Sequence, residues 1–372
     1  MAADVITSRI SGINNELVTS IMNLLFASDF LWITIPLIAA YFFIKDKKKL
    51  VLSLIIAGII VLALKQFYAF DRPCVQENSK IQCPSDAAFP SGHAALSFSF
   101  VMEGLGHSSF YFFLIYALFI SFLRIYSGVH YFDDVVAGAL IGILSSLIAE
   151  RFFRWLDIRS GKVNEEEEER GEISEERTEI KAMGFSIRKE EGRKIIHFFT
   201  GAGFLLLLLV LPIEGAKIVS FAALIFFLIL ISKFMRKRKT PFDFLISSFG
   251  TRDRFPAEGA LWYMLGVVFI FLFFSKFESM FSALLFLSLG DALAGIIGSR
   301  GKIRLPWNRR KTLEGMLAFF LVSIPLSLLF PSFALEIVAA GALCAFAESM
   351  RHLPLDDNFH IPLLYFIVSA II

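Results

Sequence analysis

Charge is what this chain has least of. Of its 372 residues only 19% are Asp, Glu, Lys or Arg, where soluble domains carry about a quarter. Hydrophobic residues reach 56%, and phenylalanine alone supplies 43. With a mean hydropathy of +0.68, that balance excludes an ordinary soluble enzyme and implies a chain threaded repeatedly through a membrane. Cysteine is nearly absent too: three residues cannot build a disulfide scaffold or a tetrahedral metal site. Cys74 and Cys83 share one polar loop, and they are able to pair if that loop faces an oxidising side; a pair and two free thiols both stay open. No basic stripe with interleaved aromatics occurs, so the net charge of +2 gives no sign of a nucleic-acid partner. Residues 1–10 lack the basic start of a secretory signal, and the first long apolar run is expected to be a retained span.

What charge there is gathers in one place. Residues 151–194 hold five consecutive glutamates, Glu165–Glu169, between two oily halves. Such a run cannot enter hydrocarbon and must lie in water. On the rule of about 20 apolar residues per crossing, spans are predicted near 28–45, 49–65, 93–106, 109–125 and 133–150 before it. After it come 196–212, 216–233, 259–275, 278–298, 313–330, 334–350 and 360–372. Residues 14–27 are short and amphipathic, interfacial or packed rather than spanning. The fold expected is all-α, a polytopic membrane protein of about 12 transmembrane helices in two helical bundles. The domains expected are residues 1–157, a charged linker at 158–185 that is flexible or partly helical, and residues 186–372. Basic loops at 45–49, 151–154, 233–239 and 298–311 all fall on the linker's side, which the positive-inside rule makes cytoplasmic.

Three clusters stand out in the first half: KQFYAFDRP with Lys65, Arg72 and Pro73; PSGH at Pro90–His93; and RIYSGVHYFDD with Arg124, His130 and Asp134. All three sit at span ends on the non-cytoplasmic face. Phosphoryl transfer through a covalent intermediate needs this set. One histidine attacks phosphorus, a carboxylate orients it, a second histidine protonates the leaving oxygen, and cations hold the phosphate oxygens. The clusters resemble the signature of the type 2 phosphatidate phosphatase superfamily, K-x6-R-P, P-S-G-H and S-R-x5-H-x3-D, with Leu123 where serine is usual. The resemblance implies His130 as nucleophile, Asp134 as its orienting partner and His93 as general acid. It implies phosphate binding by Lys65, Arg72, Ser91, Gly92 and Arg124, and no metal or other cofactor for this half. A short chain with an outward-facing site looks most like the bacterial undecaprenyl-diphosphate phosphatases.

The second half places its polar residues in cytoplasmic loops: Arg193, Lys194, His197 and Gly201; Glu258, Gly259 and Tyr263; Gly290, Asp291, Gly295, Gly298, Lys302, Lys311, Thr312, Glu314 and Gly315; and Glu348, Asp356, Asp357 and Asn358. No Walker loop or kinase glycine-rich loop is present. The glycines allow close backbone approach, the cations suit polyphosphate, and the start of a helix at Thr312 offers free amides to anions. Asp291, Asp356 and Asp357 are candidate Mg²⁺ ligands. The same basic loop is also what orientation bias and anionic lipid produce. The strings RKIIH, EGALWYMLG, GDALAGIIG, KTLEG and DDNFHIPL resemble the dolichol kinase, phytol kinase and yeast-type diacylglycerol kinase family. That resemblance implies a CTP- and Mg²⁺-dependent lipid kinase, with Asp291 or Asp357 helping to activate the lipid hydroxyl.

Taken together, the halves imply a bifunctional enzyme of polyprenyl phosphate supply in a prokaryotic plasma membrane. It would hydrolyse polyprenyl diphosphate outside and phosphorylate polyprenol from CTP inside. The alternatives are a phosphatidate-type phosphatase joined to a diacylglycerol or phytol kinase, and a transporter or scaffold with degenerate sites. Expected partners are lipid phosphates, CTP and membrane lipid.

Overall fold

The computed structural model describes residues 5–26, 31–76, 79–161, 179–182, 185–240, 257–350 and 356–372. The chain divides into two compact units, Met1–Val163 and Asn164–Ile372. Most of it is helical. Six helices are long and apolar enough to cross a membrane: Lys47–Phe67, Phe132–Arg159, Glu191–Val210, Ile213–Met235, Phe277–Gly298 and Pro331–Ser349. Glu16–Phe26 and Leu31–Phe43 would make a seventh as one span bent by 77°. Each of the twelve stretches predicted to span contains helix; Phe110–Tyr126, Glu258–Phe273, Leu313–Leu329 and Asp357–Ile371 are shorter apolar helices, and Gly92–Glu103 is a 12-residue helix. The protein is an integral membrane protein.

The first unit contains α1 (Val5–Ser11), α2 (Glu16–Phe26), α3 (Leu31–Phe43), α4 (Lys47–Phe67), α5 (Pro73–Gln76), α6 (Gly92–Glu103), α7 (Phe110–Tyr126) and α8 (Phe132–Arg159). Helix α6 is its axis, packed on α4, α7 and α8. Small residues bring α8 against it. A methyl on Gly138 would lie 2.4 Å from the Ser91 carbonyl oxygen, and one on Gly142 would lie 2.2 Å from that of Ala95. Two glycines one turn apart present a flat face, the device membrane helices use to approach closely. This contact presses the start of α6 against the start of α8, and the Ser91 amide donates to the Asp134 carbonyl at 2.9 Å.

The loop from α4 to α6 is held at several points. Cys74 and Cys83 form a disulfide with Cα atoms 5.8 Å apart, so of the two states left open it is the paired one that the structure contains. Lys80 donates through Nζ to the carbonyls of Ser11 and Tyr126, and its amide bonds Ser127 O. These contacts tie the loop to α1 and to the end of α7.

The second unit opens with a hairpin of β1 (Glu179–Ala182) and β2 (Phe185–Arg188), antiparallel with Ile180 opposite Ile187. The described parts of the linker are helix at one end, where α8 runs to Arg159, and paired strand at the other, for which β-branched residues such as Ile180 have a preference; the linker's middle lies outside the described residues. Then follow α9 (Lys189–Val210), α10 (Ile213–Met235), α11 (Glu258–Phe273), α12 (Phe277–Leu285), a π-helical turn at Phe286–Gly290, α13 (Asp291–Gly298), α14 (Leu313–Leu321), α15 (Ser323–Leu329), a 3₁₀ turn at Pro331–Phe333, α16 (Ala334–Ser349) and α17 (Asp357–Ile371). The stretch 313–330, read as one helix, is two. Pro325 has no N–H to give the preceding turn, and the helix breaks at Val322. Helix α13 packs on α14, α16 on α17, and α11 on both α10 and α17.

Candidate functional site

In the first unit four helix ends deliver one cluster. Lys65 lies in the last turn of α4, Arg124 in the last turn of α7, His93 at the second residue of α6, and Asp134 in the first turn of α8. His130 precedes α8 and is buried. Its Nδ1 lies 3.2 Å from Asp134 Oδ2, and the same oxygen accepts the Tyr131 amide at 2.8 Å. A carboxylate accepts only, so Nδ1 carries the proton and Nε2 keeps its lone pair. Burial, with the guanidiniums of Arg124 and Arg72 beside it, holds His130 well below the ordinary imidazole value of 6.5. The ring therefore stays neutral, the form able to attack phosphorus.

Arg72 lies against that lone pair, its Nη1 being 3.1 Å from His130 Nε2. It also donates to Val129 O at 2.9 Å, to Asp86 O at 2.9 Å, and to Asp86 Oδ1 at 2.8 Å. Lys65 Nζ meets Asp86 Oδ2 and Ala87 O, both at 2.5 Å. Burial raises the Asp86 carboxyl, but the Lys65 bond and the Arg72 charge outweigh it and hold the group below its usual range. Ser91 Oγ and Arg124 Nε are buried without a hydrogen-bond partner. Gly92 opens α6, whose first-turn amides have no intrahelical acceptor. Buried polar donors without partners mark where an anion fits. His93 stacks on Trp32 with centroids 4.2 Å apart and meets Phe26 edge-on at 5.5 Å. The Arg124 guanidinium lies over Phe26 at 5.1 Å.

The predicted residues Lys65, Arg72, Ser91, Gly92, His93, Arg124, His130 and Asp134 thus meet at one end of the bundle. Sequence reasoning missed Asp86, whose only signal is an acid in the polar loop before Pro90. It also missed the aromatic wall of Phe26 and Trp32, for which no motif exists.

The second unit gathers part of its predicted set. Lys194 bonds Asp291, both buried, and its stem runs over Gly295, where a methyl would meet Lys194 Cε at 3.0 Å. Asp291 and Gly295 are four apart on α13, hence on one face. His197 Nδ1 is 3.9 Å from Asp291 Oδ2. The His197 ring lies 4.6 Å from that of Tyr263, whose hydroxyl donates to His197 O at 2.9 Å. The π turn ends at Gly290, immediately before Asp291. Such turns recur at functional sites, and no pattern in the sequence announces this one. Lys311 bonds Glu348 and lies 3.9 Å from Asp357. Burial opposes its charge, but the two carboxylates outweigh it and push the ammonium above its ordinary range. Asn358 donates to Gly259 O at 3.2 Å and to Asp356 Oδ1 at 2.7 Å. Arg193 and Glu258 are buried at the same end of α9 and α11.

Other predicted residues serve the backbone. Glu314 accepts the amides of Lys302 and Ile303 at 2.8 and 3.1 Å. Thr312 caps α14 through the Gly315 amide at 3.3 Å and donates to Gly298 O at 3.1 Å. Lys302 is exposed. Among the described residues no three His, Cys, Asp or Glu side chains converge as a metal cage. Asp291 is tied to Lys194, and Asp356 caps α17. A nucleotide-borne ion is held mainly by its phosphates and one or two carboxylates.

Residues 47–157 match the family model of the PAP2 superfamily. An uncharacterized protein of Methanocaldococcus jannaschii is 33% identical over 122 residues, covering 32% of this chain and 61% of the relative. The bacitracin transport permease protein BcrC of Bacillus licheniformis is 42% identical over 72 residues, 19% of this chain and 36% of BcrC. The chain therefore spans less than two thirds of the length of either relative. A crystal structure of Aquifex aeolicus LpxE is 24% identical, with a TM-score of 0.35, over 41% of this chain and 99% of that one.

Proposed function

We propose that the first unit is a membrane lipid phosphatase that acts through a phosphohistidine. The observation that carries this reading is the neutral, carboxylate-oriented His130 lying among Lys65, Arg72 and Arg124. His130 Nε2 attacks phosphorus as the bond to the lipid oxygen breaks, and His93 gives that oxygen its proton. Water then attacks the phosphorus, losing a proton to His93, and releases inorganic phosphate and free His130. The cations and the α6 amides hold the phosphoryl oxygens throughout. The match to the PAP2 superfamily supports the assignment.

The finer reading is polyprenyl diphosphate as the substrate outside, with polyprenol phosphorylated from CTP by the second unit inside. Supporting the sidedness are the Lys/Arg bias of the loops and the Cys74–Cys83 disulfide beside the first site, a bond of oxidising compartments. Supporting the kinase are the resemblance of its loops and the burial of Asp291 beside Lys194 and His197, which brings three of the residues of that resemblance together. CTP would bring the phosphoryl group and Mg²⁺ together as substrate. Both reactions feed one pool of lipid monophosphate.

Two assays of the purified full chain test this. Polyprenyl diphosphate should release inorganic phosphate, and His130→Ala should abolish the release while leaving CTP-dependent labelling of polyprenol intact. Release by His130→Ala at the wild-type rate would remove the phosphohistidine mechanism. No labelled product from CTP with polyprenol, diacylglycerol or phytol would remove the kinase.

A further inference from the structure

Two of the cations around the proposed nucleophile, Arg72 and Lys65, are already engaged. A guanidinium has five N–H groups, and in Arg72 all five have acceptors. Nε bonds Asp86 O; Nη1 bonds Val129 O and His130 Nε2; Nη2 bonds Asp86 Oδ1 and, at 3.4 Å, Ala87 O. Three of these acceptors are backbone carbonyls that fix the plane of the fork. The other two, the Asp86 carboxylate and the His130 lone pair, are those a phosphoryl oxygen would replace. Lys65 repeats the pattern, with one bond to the Ala87 carbonyl and one to Asp86 Oδ2.

We propose that Asp86 is a built-in occupant of the phosphate position, which an incoming phosphoryl group displaces before His130 can react. The inference rests on the phosphatase reading of this site and adds a residue that the signature does not contain. The Asp86 side chain is 56% exposed, against 4% for Arg72 and 14% for Lys65, so the carboxylate has room to swing out. Backbone carbonyls of residues 86 and 87 keep the loop on both cations while it does so. The exchange favours phosphate on geometry. A carboxylate offers two oxygens and satisfies Lys65 and Arg72. A phosphoryl group offers three and reaches further, to Ser91 Oγ and Arg124 Nε, which have no partner while Asp86 is in place. The carboxylate thus screens cations that would otherwise hold the product phosphate, and it returns as that product leaves.

The test measures binding of inorganic phosphate to the full chain in detergent by titration calorimetry, alongside product inhibition of hydrolysis. Asp86→Asn and Asp86→Ala should each bind phosphate about tenfold more tightly than wild type, the equivalent of about 1.4 kcal/mol. KM for the lipid substrate should fall in parallel and kcat should not rise. Asp86→Glu, which keeps a carboxylate, should restore weak binding. Unchanged or weaker phosphate binding in the Asn and Ala variants, or no binding in any variant, overturns the proposal; weaker binding would make Asp86 a brace for Lys65 and Arg72. Hydrolysis with unaltered phosphate affinity rejects the occupant and spares the enzyme. Tightened affinity without hydrolysis of any lipid phosphate does the reverse.

Discussion

Replacing Gly138 by alanine should disable the first site without touching any residue that carries chemistry. The added methyl would lie 2.4 Å from Ser91 O, 2.9 Å from Ala94 Cβ and 3.1 Å from Ala95 N, where ordinary van der Waals contact begins at 3.4 Å. Two of these neighbours are backbone atoms of the α6 start, so no side chain can rotate away. Helix α6 must retreat from α8 by about 1 Å, and overpacking of this kind costs about 1–3 kcal/mol. The same retreat carries Ser91, Gly92 and His93 away from His130. A misplacement of about 1 Å costs about 10²-fold in rate. Phosphate release from a lipid diphosphate should therefore fall about 10²-fold in kcat/KM, while thermal unfolding in detergent still shows a folded protein. Gly58→Ala on α4 is the matched control, because a methyl there meets nothing within 4 Å; it should leave both rate and melting unchanged. If Gly138→Ala keeps more than half the wild-type kcat/KM, the distance between the two helix starts does not govern the chemistry and the reasoning fails.

Three further expectations follow from the same geometry. Because His130 is held neutral well below 6.5, the acid limb of kcat/KM, on which the nucleophile takes up a proton, should lie beneath 6.5. Linkage runs the same way: an unfolded histidine binds a proton there that the native one refuses, so stability should decrease below pH 6.5, and a kinetic midpoint at or above 6.5 would contradict the buried neutral ring. Reducing Cys74–Cys83, which closes a loop of sequence separation 9, should remove about 3 kcal/mol by the loop-closure relation and lower the melting temperature of the first unit; equal melting with and without reductant would show the other ties suffice. Lys194→Met should strand the buried Asp291 carboxylate and cost about 3–5 kcal/mol, while Lys194→Met with Asp291→Leu should recover most of it, as double-mutant unfolding would report.

The helices were legible because their hydrophobic runs are long and uninterrupted, and the clusters at Lys65–Pro73, Pro90–His93 and Arg124–Asp134 because their spacing is distinctive. Features that depend on contact across the chain were not. Asp86 looks like any acid in a polar loop until two cations are seen on it. Phe26 and Trp32 are two aromatics among many until both are seen against His93. In the second unit, spacing suggested Glu314 as an acid for a phosphate site, yet its oxygens are bonded by the amides of Lys302 and Ile303. Pro325 was visible and still passed over, because hydropathy averages do not register a missing N–H.

One oxygen of Asp134 accepts both the His130 ring and the amide that begins α8. Winding the first turn of that helix and arming the attacking imidazole are therefore a single event. On the proposed phosphohistidine mechanism, a change that unwinds this turn should cost the oriented imidazole and the helix start together.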